Sequence, residues 1–293
     1  CAVRKLQTCV TRGKAIMQVV QTVSEVRAVR HSLPGSWGLV PTMGFLHEGH
    51  LALVQAARLE NDHVGVSIFV NPTQFGPTED LGAYPRNLER DLRLLDELGV
   101  DLVWTPPAEQ VYPADFQTYI MVEDVTRPLE GAARPTHFRG VATVVAKLFN
   151  VFQPDRAYFG QKDAQQVVVI QQMARDLAFP LEVVVRPIVR ERDGLAKSSR
   201  NVYLTPEQRA AAPVLYRALS TARRGWEAGE RDGERLRQAM LDALNAEPLA
   251  KVDYVSAADP RTLAELGTAE KGVLLSMAVR VGRARLIDNL LLE

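Results

Sequence analysis

The sequence predicts an α/β protein: a parallel sheet with helices on both faces, followed by a smaller α+β domain. Three observations predict it. Strand-sized β-branched runs alternate with stretches of helical periodicity up to about residue 188. Glycine, proline or asparagine punctuates the junctions. Near Val189 the texture changes to a charged loop, then to helices and short strands. At 293 residues the chain suits one large domain or two modest ones.

The elements follow in order. Residues 37–40 are a short apolar run that stops at Pro41. Gly44 and Gly49 flank a turn, and residues 51–59 have helical periodicity with good helix formers. Residues 64–70 are β-branched and end at Asn71-Pro72, a turn signal. Residues 87–98 predict an amphipathic helix closed by Gly99, and 102–104 a strand before Pro106-Pro107. A helix over 141–152, a strand over 156–159, a helix over 163–176 and a strand over 181–185 complete the alternation. Beyond a boundary at 188/189, helices are expected over 206–219 and 234–244, with strands around 252–255, 272–278 and 284–288. The domains so read are 17–188 and 189–293, with no internal repeat or low-complexity tract.

Composition narrows the function. Apolar residues make up 46% and charged residues 24%, which is enough for a real core. The 35 basic and 35 acidic residues cancel, which argues against nucleic-acid and membrane-surface partners. The only cysteines are Cys1 and Cys9, so the body of the chain holds no disulfide framework or CxxC metal site, and a reducing, cytoplasmic setting fits best. No apolar run approaches the roughly 20 residues that cross a bilayer. Residues 1–16 carry Arg4, Lys5, Arg12 and Lys14 without an acidic residue and lack a signal-peptide core. They read as an extension outside the fold, with a targeting peptide as the lesser alternative.

Chemistry concentrates in four places, each expected at the carboxyl end of a strand, where open α/β sheets bind ligands. The first runs from Pro41 to His50. A strand enters this loop and a helix leaves it, and a helix N-terminus suits phosphate. His47 and His50, three apart, face the same side of the first turn, where imidazoles steady phosphate charge. Gly49 lets a nucleotide approach the backbone. Half of a metal site is the competing reading, but only His31, His63 and His137 remain as further histidines. The second place is Lys197-Ser198-Ser199-Arg200, a loop able to fold over a triphosphate, which alone would read as a solvated basic loop. With His-x-x-His it matches the two-part signature of the class I nucleotidylyl-transfer superfamily.

The third runs from Phe159 to Gln166, at a strand-to-helix turn. Lys162 suits phosphates, Asp163 suits a helix cap or a ribose hydroxyl, and Gln166 lies one turn further in. The fourth is Asn71-Pro72-Thr73-Gln74-Phe75, whose polar side chains suit the cleft but alone amount to an Asn-Pro turn. His137 fits either a site or a packing role. His31 and His63 read as surface or packing residues.

These segments, with Tyr84-Pro85-Arg86, His137-Phe138-Arg139-Gly140-Val141 and Asn201 after the basic loop, stand in the order and at about the spacing of the pantothenate synthetases (pantoate–β-alanine ligases). The chain resembles that family from Met17 to roughly residue 290. The resemblance implies a Rossmann-like first domain, a C-terminal lid and a homodimer. It implies a two-step reaction with ATP and Mg²⁺ in which pantoate is adenylated and then captured by β-alanine. It places ATP on Met43, Gly44, Phe45, Leu46, His47, Glu48, Gly49 and His50. It adds Gly160, Gln161, Lys162, Asp163, Val189, Lys197, Ser198, Ser199 and Arg200. His50 resembles the family's proton donor, His47 its partner on the phosphates, and Lys162 a third catalytic group. Gln74, Gln166 and Asn71 would face pantoate and β-alanine. Phe45, Gln161 and Lys197 stand where the family often has a small residue, Glu and Met. Asp91 is the nearest metal candidate, weakened by Arg90 beside it. Another nucleotidylyltransferase and a non-catalytic module or aminoacyl-tRNA synthetase fragment are the rivals. The Gln74/Gln166 pair argues against the first and the neutral charge against the second.

Overall fold

The computed structural model describes residues 16–293 apart from 77, 78 and 80. The extension read at residues 1–16 therefore lies outside the described residues, save Ile16.

Six parallel strands form the first sheet: β1 (Gln18–Val20), β2 (Trp37–Thr42), β3 (His63–Ile68), β4 (Leu102–Trp104), β5 (Arg156–Gly160) and β6 (Glu182–Arg186). Their spatial order is β1-β4-β3-β2-β5-β6. Between them run α1 (Val23–Ser32), α2 (Glu48–Glu60), α3 (Leu88–Glu97), the single turns α4 (Ala108–Val111) and α5 (Glu130–Ala133), α6 (His137–Phe152) and α7 (Ala164–Asp176). Both faces are covered. Leu39 of β2 joins a core with Val26 of α1, Phe149 of α6 and Ile170 of α7, while its neighbour Val40 joins Val54 of α2 and Leu95 of α3. Alternate side chains thus feed two cores, which is why these strands read as unbroken apolar runs.

The strand order reverses beside β2, and the sheet opens there. The β2–β3 ladder runs the length of β2, but β2 and β5 pair only at Gly38↔Arg156 and Leu39↔Ala157. Thr42 O accepts from Phe69 N on the β3 side at 3.0 Å. Pro41, one residue earlier, therefore turns its nitrogen toward β5, where no ladder bond is required of it. The strand runs on through the proline that the sequence reading took as its end.

The second sheet is antiparallel, β7 (Ala250–Ala258), β8 (Val273–Val281) and β9 (Ala284–Leu292), in that order. After α8 (Pro206–Ala211), helices α9 (Val214–Glu227) and α10 (Gly233–Asn245) pack onto it. Leu215, Leu219, Met240, Met277 and Val279 form its core, each within 1% of complete burial. The single helix expected over 206–219 is two, because Pro213 has no N–H to continue the ladder. The strands run longer than expected. All but one residue of β8 is buried, so it lacks the alternation that marks a half-exposed strand. Four elements had no counterpart in the sequence reading: the three-residue strand β1, α1 with its Thr22/Glu25 capping box, and the single turns α4 and α5.

Candidate active site

The turn from β2 into α2 is held from below. Gly44 and Phe45 take positive φ, 80° and 50°. Asp91 of α3, 1% exposed, accepts the Phe45 N–H at 2.7 Å and the Leu46 N–H at 2.8 Å. Arg90 donates to Leu46 O at 2.9 Å and lies over the Phe45 ring. Leu46 is 1% exposed and anchors the turn in the core. This corrects the metal reading of Asp91: its two oxygens hold the main chain of the turn, and charge-assisted bonds to the Phe45 and Leu46 N–H groups fix it there.

His47 caps α2. Its Nδ1 accepts the Gly49 N–H at 3.1 Å, and His50 Nδ1 accepts the His47 N–H at 3.3 Å, with ring centroids 4.0 Å apart. Acceptors at Nδ1 place each ring's hydrogen on Nε2, so both rings offer a neutral donor. Burial, with Lys162 as the next cause, lowers His47 to about 4. Burial, with His47 and Lys162 behind it, lowers His50 to about 3. Gly49 serves this arrangement, because a Cβ there would stand 2.9 Å from the His47 ring.

After β5, a 3₁₀ turn over Gln161–Asp163 carries Lys162, whose Nζ lies 3.6 Å from Asp163 Oδ1. Asp163 precedes α7 but makes no side-chain cap, so the ion pair replaces the capping role. Asn289 of β9, 2% exposed, donates to Gln161 O and Lys162 O, both at 2.9 Å, and accepts from the Gln161 amide at 3.2 Å. Gln161 is therefore turned to the second sheet. The main chain that presents Lys162 is fastened by a residue 127 positions away, which no local pattern announces.

After β3, Asn71 is 1% exposed and saturated. It donates to Gln74 Oε1 at 3.0 Å and Gly140 O at 3.1 Å, and accepts from Thr73 Oγ1 and Tyr112 OH, both at 2.9 Å. It thereby orients the Gln74 side chain. The Gln74 amide meets Met43 Sδ at 3.2 Å. Helix α6 reaches this turn because residue 140 is glycine; a Cβ would stand 2.4 Å from Thr73 O. His137 Nδ1 donates to Gln74 O at 2.9 Å and its Nε2 accepts from Arg134 at 3.2 Å. Burial, then Arg134, lowers His137 to about 4. Both its nitrogens are engaged, so His137 borders the site as a support of residue 74. Of the two histidines read as packing or surface residues, His63 is buried and His31 is exposed.

In the loop after β6, Ser198 Oγ accepts Arg200 N–H at 3.3 Å and Ser199 Oγ donates to Phe45 O at 3.4 Å. Lys197 Nζ lies 2.7 Å from Glu191 and 3.2 Å from Glu48. The Glu191 carboxylate chiefly, and Glu48 less, raise its pKa.

These segments face one cavity of about 690 Å³ at the β2/β5 opening, well within the size of small-molecule sites. Its wall includes Met43, His47, Gly49 and His50 from the first segment and Asn71 and Gln74 from the second. The wall also takes Gly160, Lys162, Asp163 and Gln166 after β5, and Val189, Lys197, Ser198, Ser199 and Arg200 after β6. Gly44, Phe45, Leu46 and Gln161 do not line it and shape the turns behind; Glu48 does not line it either, and its carboxylate pairs with Lys197. The sequence reading passed over Glu130, Arg134 and Arg285, which also border the cavity. Isolated charges on a single helical turn, just after it and on an antiparallel strand carry no motif. Among the described residues no group of three or more His, Cys, Asp or Glu side chains could hold a metal ion.

A sequence model of the pantoate-beta-alanine ligase family matches residues 18–291. Among similar chains are a pantothenate synthetase of Herpetosiphon aurantiacus, 64% identical over 277 residues, and one of Roseiflexus sp., 60% identical. Each alignment covers 94% of this chain and all of the relative. Among solved structures, pantothenate synthetase from Thermus thermophilus superposes with a TM-score of 0.90 at 53% identity, over 94% of this chain and 99% of that one. A pantoate-beta-alanine ligase from Francisella tularensis, solved with β,γ-ATP and β-alanine, gives 0.78 at 34% identity, over 94% and 98%.

Proposed function

We infer the division of labour within the cavity from one premise: the chain belongs to the pantoate-beta-alanine ligase family and is an ATP-dependent enzyme that forms pantothenate. ATP is proposed to lie along the α2 N-terminus, with its phosphates toward His47, His50 and Lys162. Pantoate is proposed to sit beside it on Gln74 and Gln166. The observation that carries this reading is the meeting of two neutral Nε2–H donors, a lysine and a serine- and arginine-containing loop around one hollow, beside a glutamine pair.

The chemistry follows from the instability of what must be made. A carboxylate cannot expel oxide, so it needs a better leaving group. A pantoate oxygen attacks the α-phosphorus, the bond to the bridging oxygen breaks, and pyrophosphate departs with the electron pair. The free amine of β-alanine then attacks the acyl carbon of the pantoyl adenylate. The bond to AMP breaks, an amide forms and the nitrogen sheds one proton. Negative charge grows on phosphate oxygens in the first step, and fixed donors that need no reorganisation are what such a step rewards. The depressed basicity of His50 supports a role as hydrogen-bond donor to phosphate rather than as a cationic acid.

Mg²⁺ is proposed to enter on the triphosphate, in keeping with its preference for substrate phosphates and water; with Asp91 committed elsewhere, no step is routed through it. Residues 17–188 and 189–293 are proposed as the catalytic domain and a lid that excludes water from the adenylate. A homodimer and a cytoplasmic location are proposed from the family resemblance. No helix of the described residues is long and apolar enough to cross a membrane. Pantoate-dependent ATP–pyrophosphate exchange, followed by AMP release only on adding β-alanine, tests the reading. Exchange without pantoate, or none, overturns it.

A further inference from the structure

A line of alternating charges joins the second sheet to the substrate turn, and its centre is a buried carboxylate. Glu130 is 7% exposed. From β9, Arg285 grips both its oxygens, at 2.6 and 2.9 Å, and the Tyr254 hydroxyl of β7 adds a bond at 3.0 Å. Arg285 also meets Asp253 at 2.7 Å. On the other side Arg134 lies 3.9 Å from Glu130. Arg134 binds the Glu79 carboxylate through two nitrogens, at 2.5 and 2.8 Å, and donates to Gln74 O at 3.3 Å. The order is Asp253, Arg285, Glu130, Arg134, Glu79: acid, base, acid, base, acid.

The chain is bent to put the carboxylate there. Leu129, just before it, has φ 52° and ψ −115°, a conformation that side-chain-bearing residues avoid. Such strain persists only where surrounding contacts over-determine it, and it gathers at functional sites. Those contacts come from Gln165 of α7, 5% exposed. It accepts the Glu130 N–H at 2.9 Å and donates to Val125 O and Pro128 O at 2.9 and 2.8 Å. A buried charged cluster is a weak source of net stability, and its better-attested use is to fix one arrangement among several.

We propose that Glu130 is a positioning residue for the ligase reaction, fastening the second sheet to the substrate turn at residues 71–74 through Arg285 on one side and Arg134 on the other. It touches no reacting atom. It sets where the Gln74 main chain stands relative to the sheet that closes the cavity. The proposal rests on Gln74 contacting pantoate. The nucleotide turn is held separately by Asp91 and lies off this line.

Glu130→Gln keeps the shape and removes the charge, and Tyr254→Phe removes one bond to the same carboxylate. For Glu130→Gln the KM for pantoate rises about tenfold, a size typical of coupling between sites, while the KM for ATP stays within about twofold. AMP release exceeds pantothenate formation, because water reaches the adenylate through a loosened seam. Tyr254→Phe shifts both readouts the same way by a smaller factor, and decides alone if Glu130→Gln does not fold. A Glu130→Gln enzyme that merely melts lower, with unchanged pantoate KM and one AMP per pantothenate, overturns the proposal. Gln74→Ala separates the two readings. If it raises the pantoate KM while Glu130→Gln does not, the positioning role falls and the Gln74 assignment stands; if neither does, both fall.

Discussion

The turn at residues 43–50 and the loop at residues 197–201 both face the cavity, yet they are built on opposite principles. The first is clamped by a buried carboxylate and capped by its own histidines. The second carries the charge, and its lysine is already shared between Glu48 and Glu191. A site that needs fixed donors and adjustable charge places them on different segments. The rigid part stays ready while the charged part exchanges partners.

The contrast breaks first at the rigid turn and the lysine opposite it. His50→Ala and Lys162→Ala are each expected to lower kcat/KM about a thousandfold with far-ultraviolet circular dichroism unchanged. Near-normal turnover in either would remove the phosphate-donor assignment. Next comes the clamp. Asp91→Ala leaves the half-buried Phe45 and buried Leu46 N–H groups without a partner, so it should cost about 3 kcal/mol in urea denaturation. Turnover should fall on the order of a hundredfold as the donors drift. A stable but inactive Asp91 variant would sink the view that this residue works through the main chain.

Acid separates the regions further. His47, His50 and His137 have folded values of about 4, 3 and 4 against an ordinary 6.5. Between these limits the unfolded chain binds more protons than the folded one. Their contribution is therefore complete above pH 6.5 and is lost as the pH falls through 4. Urea midpoints measured from pH 7 to 4 should decline across this window, and less steeply in His50→Asn. A flat profile would contradict the burial of the neutral rings. The smallest effect belongs to the loop. Lys197→Met should change the KM for ATP by less than about fivefold, since the ammonium must first give up two carboxylates. A much larger change in a titration at low salt would show that Lys197 passes wholly to the phosphates.

How much was legible from sequence follows how local each signal is. The strands of the first sheet announced themselves because both faces are buried and their ends carry Gly or Pro. His47 and His50 were legible because three residues suffice to place them on one turn. Strand β1 was not, being three residues at a sheet edge with little burial. The split at Pro213 was missed because the apolar periodicity continues across it. Asp91, Asn289 and Glu130 act through partners 45, 127 and 155 positions away, and a single chain of letters holds no trace of such pairings. Lys197 could be seen as basic, but not as already occupied.

Pro41 has a consequence for the shape of the crevice itself. Two parallel strands left side by side tend to zip together, each new bond drawing in the next. At the position where zipping would continue from Leu39 toward the cavity, the chain has a ring in place of the hydrogen that would make the bond. The gap is thus written into the covalent structure, and Pro41→Ala would hand the sheet the donor it needs to heal shut.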